Sequence, residues 1–422
     1  MKIRLAIGIV SVIAVYLVCA FEFQDASVRN VQAAGRKINF PKDFIVTEFT
    51  SGGGENIRHI AVSKEGLVYA RINNKNGGVK VFQDTNGDGV ADKIAEFGKG
   101  KGTGIAVYKD HVYYSSDEGI YRQKIIPEAL QPEDKIETVI NGLPNQGEHG
   151  AKPFAMDSQG NIYVTIGAPS NSCQAENRKT GSAGISPCPI LENAGGVWKL
   201  SAEAVNQNFK QHAKRYATGI RNTVAISWNR NDDSLYLVQH GRDQLSTFFP
   251  QYYNDDDNAE LPAEEFHKIG EGDNIGWPYT YVAPKTNERV IAPEYGGDGK
   301  KKYTENEFKK ALIAFPAHWA PNGLVFYDSD AFPGHYRKGA FIAFHGSWNR
   351  APRPQAGYLI AFIPFQNGKY SPDYEIFADN FKGEREIKSP GDAEHRPMGL
   401  AVGPKGELYV SDSVQGRIWQ IK

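Results

Sequence analysis

A short unit recurs six times along this chain: apolar residues around one small residue, a turn rich in Gly or Asp, then an apolar-aromatic run. The copies are NIRHIAVSKEGLVYAR from Asn56, GTGIAVYKDHVYYSS from Gly102, AKPFAMDSQGNIYVTIG from Ala151, RNTVAISWNRNDDSLYLVQ from Arg221, APNGLVFYDSDAFPG from Ala320 and HRPMGLAVGPKGELYVSDS from His395. Their small-residue markers, Ala61, Ala106, Ala155, Ala225, Val325 and Ala401, are 45, 49, 70, 100 and 76 residues apart. The short spacings fit a four-stranded propeller blade, and the long ones a blade plus a long loop. A lone hairpin of this kind cannot bury its apolar face, but six in a ring can, without long sheet edges. PKDFIVTEFTS near the start and GRIWQIK at the end read as strands able to pair and close the ring. The expected fold is all-β, a six-bladed β-propeller of four-stranded blades over residues 40–422. Two β-sandwiches are the alternative, which the shared repeat disfavours.

Composition agrees. Tyr 21 and Phe 22 against Met 3 favour strands over helices. A net charge of −1 argues against a nucleic-acid coat or a basic membrane binder. Residues 1–20 carry Lys2 and Arg4, an apolar stretch from Leu5 to Val18, and the small residues Val18-Cys19-Ala20. That pattern reads as a secretory signal peptide, with an uncleaved anchor as the alternative. Leu17-Val18 makes a poor lipobox for Cys19. Residues 21–39 read as a linker. Secretion leaves Cys173 and Cys188, expected to form a disulfide in a polar loop.

The residues before each marker share a chemistry. They include Arg58 and His59, Lys101 and Thr103, His149 and Lys152, Arg221 and Asn222, His318 and Asn322, and His395 and Arg396. In a propeller this phase lies at the channel mouth. A basic ring on a nearly neutral protein predicts a bound anion. Solvated loop residues explain one or two copies well and six poorly. Separately, Asp84, Asn86, Asp88 and Asp92 alternate around Gly87 and Gly89 like the front half of an EF-hand loop, although Ala95 stands where the bidentate Glu belongs. A structural calcium ion is expected there, with a plain Asp-Gly hairpin as the alternative. The run Asp255-Asp256-Asp257 reads as solvated loop.

YATGIRNTVAISW, VQHGRDQL, EEFHKIGEGDNIGWPYTY, HWAPNGLVFY with AFHGSWNR, and HRPMGLAVGPKGELYVSD follow one another in an order that resembles the soluble PQQ-dependent sugar dehydrogenases. The likeness is to the glucose/sorbosone dehydrogenase family and its sorbosone-dehydrogenase-like branch, over about Phe40 to Lys422. The resemblance implies a six-bladed propeller holding pyrroloquinoline quinone (PQQ), whose three carboxylates would suit the basic ring. It makes His149 the general base and places Arg221 and Asn222 at the quinone. It assigns Arg396 to the cofactor carboxylates, and Trp319 and Asn322 to the wall facing cofactor and sugar. It puts Gly241 and Arg242 where backbone carbonyls hold a Ca2+ ion, and Glu265, Asp273 and Asn274 near a second calcium region. The sequence departs from the glucose branch: Pro397 and Met398 replace its second arginine, and its pocket lysine is not evident. His345 and Arg350 lie near the vacant place, and Lys152 or Arg58 are candidates to fill the charge.

The expected function is a periplasmic quinoprotein oxidising an aldose or sugar aldehyde, with electrons passed to a cytochrome c or a quinone. A calcium-dependent lactonase and a non-catalytic carbohydrate- or protein-binding propeller stand as alternatives.

Overall fold

The computed structural model describes residues 28–33, 36–366 and 368–422, so the leader read over 1–20 lies outside the described residues. Six sheets form the propeller. Their innermost strands are Ile57–Val62, Ile105–Tyr108, Phe154–Met156, Thr223–Asn229, Pro321–Phe326 and Pro397–Val402. Each packs on the next and the last packs on the first, so the ring is closed. Val46–Thr50 pairs antiparallel with Ile418–Ile421, joining the two chain ends in one blade as expected.

All six markers lie on the inner strands. In five blades the residue paired across from the marker is aromatic: Tyr69, Tyr113, Tyr163, Phe341 and Tyr409. Crowding near the axis favours a small side chain, and the bulky partner one strand out fills the wider gap between blades. In the fourth blade Ala225 faces Val238, and the aromatic Tyr236 sits two residues away against Ser227.

Three details depart from the sequence reading. Two blades gain a fifth, parallel strand: Gln207–Asn208 beside Glu137–Asn141, and Asp273–Asn274 beside Lys214–Thr218. The expected linker contains a hairpin of Val28–Ala33 with Arg36–Pro41, and Ile38 and Phe40 are buried in the propeller core. The triple aspartate is the first turn of a helix, Asp255–Glu260, not loop. Asn254 caps it, accepting from the Asp256 and Asp257 amides, and the acids suit the positive helix end.

Candidate active site

The mouth is the end of the channel where the inner strands begin. Four inner strands shift register there, between Ile57 and Ile60, Thr223 and Ala225, Pro321 and Gly323, and Pro397 and Leu400. Such bulges re-aim side chains that a regular strand would point elsewhere. Arg58, His59 and Asn322 stand on them. The backbone is strained at this end too: His149, Gln244, His318 and Ala320 adopt left-handed φ of 53°, 61°, 62° and 55°. Each costs a non-glycine residue on the order of 1 kcal/mol, the kind of strain that gathers at functional sites.

His149 is partly buried. Its Nδ1–H donates to the Ala168 carbonyl at 2.6 Å, which leaves Nε2 as the basic nitrogen. Burial first, and then the nearby Arg221 charge, push its pKa down to about 3. Asn222 meets it over Gly167, where a Cβ would come within 2.6 Å of His149 Cβ and 2.9 Å of Asn222 Oδ1. Only glycine allows that approach.

Arg221 is buried. It donates to the carbonyl of Asn171 at 3.1 Å, the carbonyl of Gly241 at 2.8 Å, Asn171 Oδ1 at 3.0 Å and Asp243 Oδ2 at 2.7 Å. Burial alone would raise the Asp243 carboxyl, but the Arg221 charge together with His318, Arg178 and His149 outweighs it and holds Asp243 below the usual carboxylate range.

Among the described residues no carboxylate forms a salt bridge with Lys152, Arg58 or Arg396, although Asp117 and Asp412 lie near enough to act on Lys152 and Arg396. Lys152 donates to the carbonyl of Gly150, and Arg396 to those of His345 and Gly346. Arg58 Nε is buried with no hydrogen-bond partner. Burial lowers Lys152 to about 8, and lowers Arg58 and Arg396 to about 10, with Arg396 adding to the effect on Arg58. Arg58 and Arg396 are thus neighbours across a blade junction.

Neutral histidines complete the ring. His59 and His240 donate from Nε2 to the carbonyls of Asn322 and Pro321, at 2.8 and 2.7 Å, and burial takes both to about 4. His345 contacts Ser413 Oγ at 2.7 Å, and burial beside Arg396 and Arg58 holds it well below its ordinary value. Asn322 Oδ1 is buried without a partner. Glu264 accepts from the amides of Ala320 and Gly241, at 3.1 and 2.9 Å, and burial raises it to about 8.

These shifts predict acid sensitivity. The unfolded chain protonates His59, His149 and His240 below about 6.5, while the folded chain resists down to about 3 or 4. Their contribution is full above pH 6.5 and is lost as pH falls toward 4. Glu264 acts oppositely, losing stability as pH rises from the ordinary carboxylate range to about 8, but it is one group against several. The thermal midpoint should fall from pH 6.5 to 4; a flat profile would contradict these neutral histidines.

Several expected roles are corrected. Arg350 does not face the cofactor place: it binds the carbonyls of Ala259 and Pro354, and Glu260 at 2.7 Å, closing the end of the 255–260 helix. Glu265 is held by His267 at 3.0 Å, Gln239 at 3.2 Å and Arg289 at 3.4 Å, away from any metal. Asp273 pairs with Lys309 at 2.8 Å, and Asn274 Oδ1 accepts from the Gly276 amide. His318 donates to the carbonyls of Asn258 and Leu261, and His395 contacts Asp412 at 2.9 Å, so both serve the scaffold. Trp319 lies edge-on to Phe344 and Tyr374, part of the blade packing. The Asp84 loop closes on itself: Asp84 accepts from the Gly87 and Gly89 amides, Asp88 from Val90, and Asp92 from Thr85. Asn86 is bonded to Asp88 within the same turn. Gly241 and Arg242 do reach the mouth: the Gly241 carbonyl accepts one bond from Arg221, and the buried Arg242 side chain pairs with Glu294. Among the described residues no three acidic, His or Cys side chains converge on a metal position. The protein side chains therefore do not make a calcium cage here. The expected disulfide is present, with Cys173 and Cys188 Cα atoms 6.2 Å apart.

Sequence reasoning missed Asn171, Arg178, His240, Asp243 and Glu264. His240 and Asp243 flank the Gly241-Arg242 pair that it singled out, so adjacency was the available signal. A cavity of about 1020 Å³ occupies the channel beyond His59, toward the opposite face. It is lined by Ala61, Ala106, Ala155, Val325 and Ala401 and does not include the charged ring.

Comparison with known proteins follows the geometry. Over 334 residues the chain is 25% identical to an uncharacterized protein of Borreliella burgdorferi, covering 76% of this chain and 75% of that one. Over 241 residues it is 26% identical to a pyrroloquinoline quinone-dependent pyranose dehydrogenase of Coprinopsis cinerea, covering 50% of this chain and 32% of that longer protein. The holo PQQ domain of pyranose dehydrogenase from that fungus superposes with a TM-score of 0.73 at 18% identity, covering 92% of this chain and 97% of the domain. The calcium structure of a Trichoderma reesei carbohydrate-active enzyme of family AA12 gives 0.75 at 17%, with 93% and 99% covered. Those two superpositions establish the shared propeller fold. The TrAA12-like family matches residues 43–422, essentially the whole propeller, and the chain belongs to that family.

Proposed function

We propose that this protein is a PQQ-dependent sugar dehydrogenase, oxidising a pyranose or related sugar aldehyde, with electrons passing to an external cytochrome c or quinone. One observation carries the reading: Arg58 and Arg396 adjoin at the mouth and Lys152 is buried at the same phase, none of them salt-bridged to a carboxylate among the described residues, in a ring that also holds neutral histidines. Burying cations without counter-charges is costly unless an anionic ligand completes them. A tricarboxylate fits in charge, and the unpartnered donor Arg58 Nε fits it in hydrogen bonding. The names of the relatives support the same class.

When bound, the quinone supplies a two-electron, hydride-accepting centre. The chain supplies the rest. His149 Nε2 takes the hydroxyl proton of the sugar, with the ring oriented by its Nδ1–H bond to Ala168. Arg221, neutralised by Asp243 and fixed by Asn171, keeps one unengaged N–H, on Nη1, for charge that develops at the reacting end. Gly241 and Arg242 would offer backbone carbonyls to a calcium ion, and the Gly241 oxygen keeps a second lone pair beside its bond from Arg221. The sorbosone-like substrate and a periplasmic site, the latter resting on the leader read in residues 1–20, belong to this proposal. A lactonase would need an acidic metal cage, whereas the acids here, Asp243 and Glu264, are held by arginines and backbone amides.

Reconstitution tests the proposal. The full chain is mixed with PQQ and calcium, its absorbance is recorded, and aldoses are added with a dye acceptor. A bound-quinone spectrum that bleaches with a sugar supports it, and absence of binding removes the enzyme reading.

A further inference from the structure

The reacting end of the mouth is built by a loop from outside the ring. Residues 167–195 join two strands of the third blade, Asn161–Ile166 and Gly196–Ser201, and carry the Cys173–Cys188 bridge. Asn171 in this loop is completely buried; its N–H donates to Asn177 Oδ1 within the loop, and its carbonyl and side chain turn on the site. Its backbone carbonyl accepts from Arg221 Nε at 3.1 Å and Trp277 Nε1 at 3.0 Å. Its side-chain oxygen accepts from Arg221 Nη2 at 3.0 Å and from the Asp243 amide at 2.9 Å, and its Nδ2 donates to the Asp243 carbonyl at 3.0 Å.

A second residue of the loop closes a charge circuit. Arg178 donates to Glu148, the neighbour of His149, at 3.1 and 3.0 Å, and to Asp243 Oδ2 at 3.3 Å. Charge therefore alternates along Arg221, Asp243, Arg178 and Glu148 and cancels. This separates two halves of the mouth. Arg58, Arg396 and Lys152 keep unspent charge for an anion, whereas Arg221 has its charge matched and its direction fixed.

Resting on the functional reading above, we infer that Asn171 is a positioning residue. It holds the Arg221 fork and the Asp243 backbone in one geometry for the chemical step, and contributes little to cofactor affinity. A guanidinium salt-bridged to one carboxylate oxygen can still swing about that contact; the Asn171 carbonyl and side-chain oxygen remove that freedom on a second edge. Orientation errors of about 1 Å at a reacting centre can cost on the order of a hundredfold in rate. Removing Asn171 changes no charge, so affinity should stay with the other three cations.

The test compares Asn171→Ala with the wild-type chain by PQQ affinity, from quenching of tryptophan fluorescence, and by steady-state kinetics. Turnover should fall about tenfold or more with PQQ affinity held within about threefold. Unchanged turnover would overturn the inference. So would affinity and turnover falling together, the mark of a generally loosened mouth. If the alanine variant does not fold, Asn171→Ser carries the test: it is uncharged and too short to make the side-chain bond to Arg221, and should lower turnover likewise, again without loss of affinity. If the wild-type chain neither binds PQQ nor oxidises sugars, the functional reading fails by itself. A crystal structure of the variant then decides the positioning role: a guanidinium displaced from the Gly241 carbonyl supports it, and one left in place refutes it.

Discussion

His149→Ala is expected to lower turnover about a hundredfold or more while PQQ affinity is retained, the usual scale for losing a positioned general base. The separation follows from the geometry. His149 spends Nδ1–H on Ala168 and carries no charge for the cofactor carboxylates. Its depressed pKa, about 3, also predicts the pH dependence: the imidazole stays unprotonated across the ordinary assay range, so turnover should show no acid limb near pH 6.5 from this residue. Steady-state kinetics from pH 5 to 8, with binding followed by fluorescence, checks both parts. Unchanged turnover would remove His149 from the proton step.

Arg58→Leu should do the opposite. A charge-assisted hydrogen bond is worth about 1.5–3 kcal/mol, so PQQ affinity should weaken roughly ten- to a hundredfold. The ligand-free protein should become more stable, because a buried cation with an unpartnered Nε, crowded against Arg396, is replaced by an apolar side chain. A rise of about 2 °C or more in thermal midpoint is expected. Weaker binding joined to a higher midpoint identifies a residue kept for its ligand. A lower midpoint with unchanged affinity would show Arg58 to be structural, and the anion reading would lose its central support.

The sequence by itself determined the propeller and the phase at which charge enters it. Both are local and repeated: a small residue must sit where six strands crowd an axis, so Ala61, Ala106, Ala155, Ala225, Val325 and Ala401 mark the inner strands before any contact is known. His149, Arg221, Asn222 and Arg396 were legible as basic or polar residues three to six positions before a marker, a phase that lies at the mouth, and their separate roles came from the family resemblance. The sequence could not separate residues of like chemistry at that phase. His318 and His395 share the phase of His149, yet they turn to Asn258 and Asp412, because inner-strand bulges and left-handed backbone decide which way each side chain faces. Nor could it show that Arg350 would be claimed by a helix end, or that the Asp84 loop would satisfy its own carboxylates with amides. Arg58 and Arg396, 338 residues apart in number, become neighbours only when the ring closes. Asn171, Arg178 and Asp243 lie in long insertions with no repeat to set their register. Their place at the reacting end was decided by the fold of a disulfide-closed loop over the mouth, where buried donors must find acceptors.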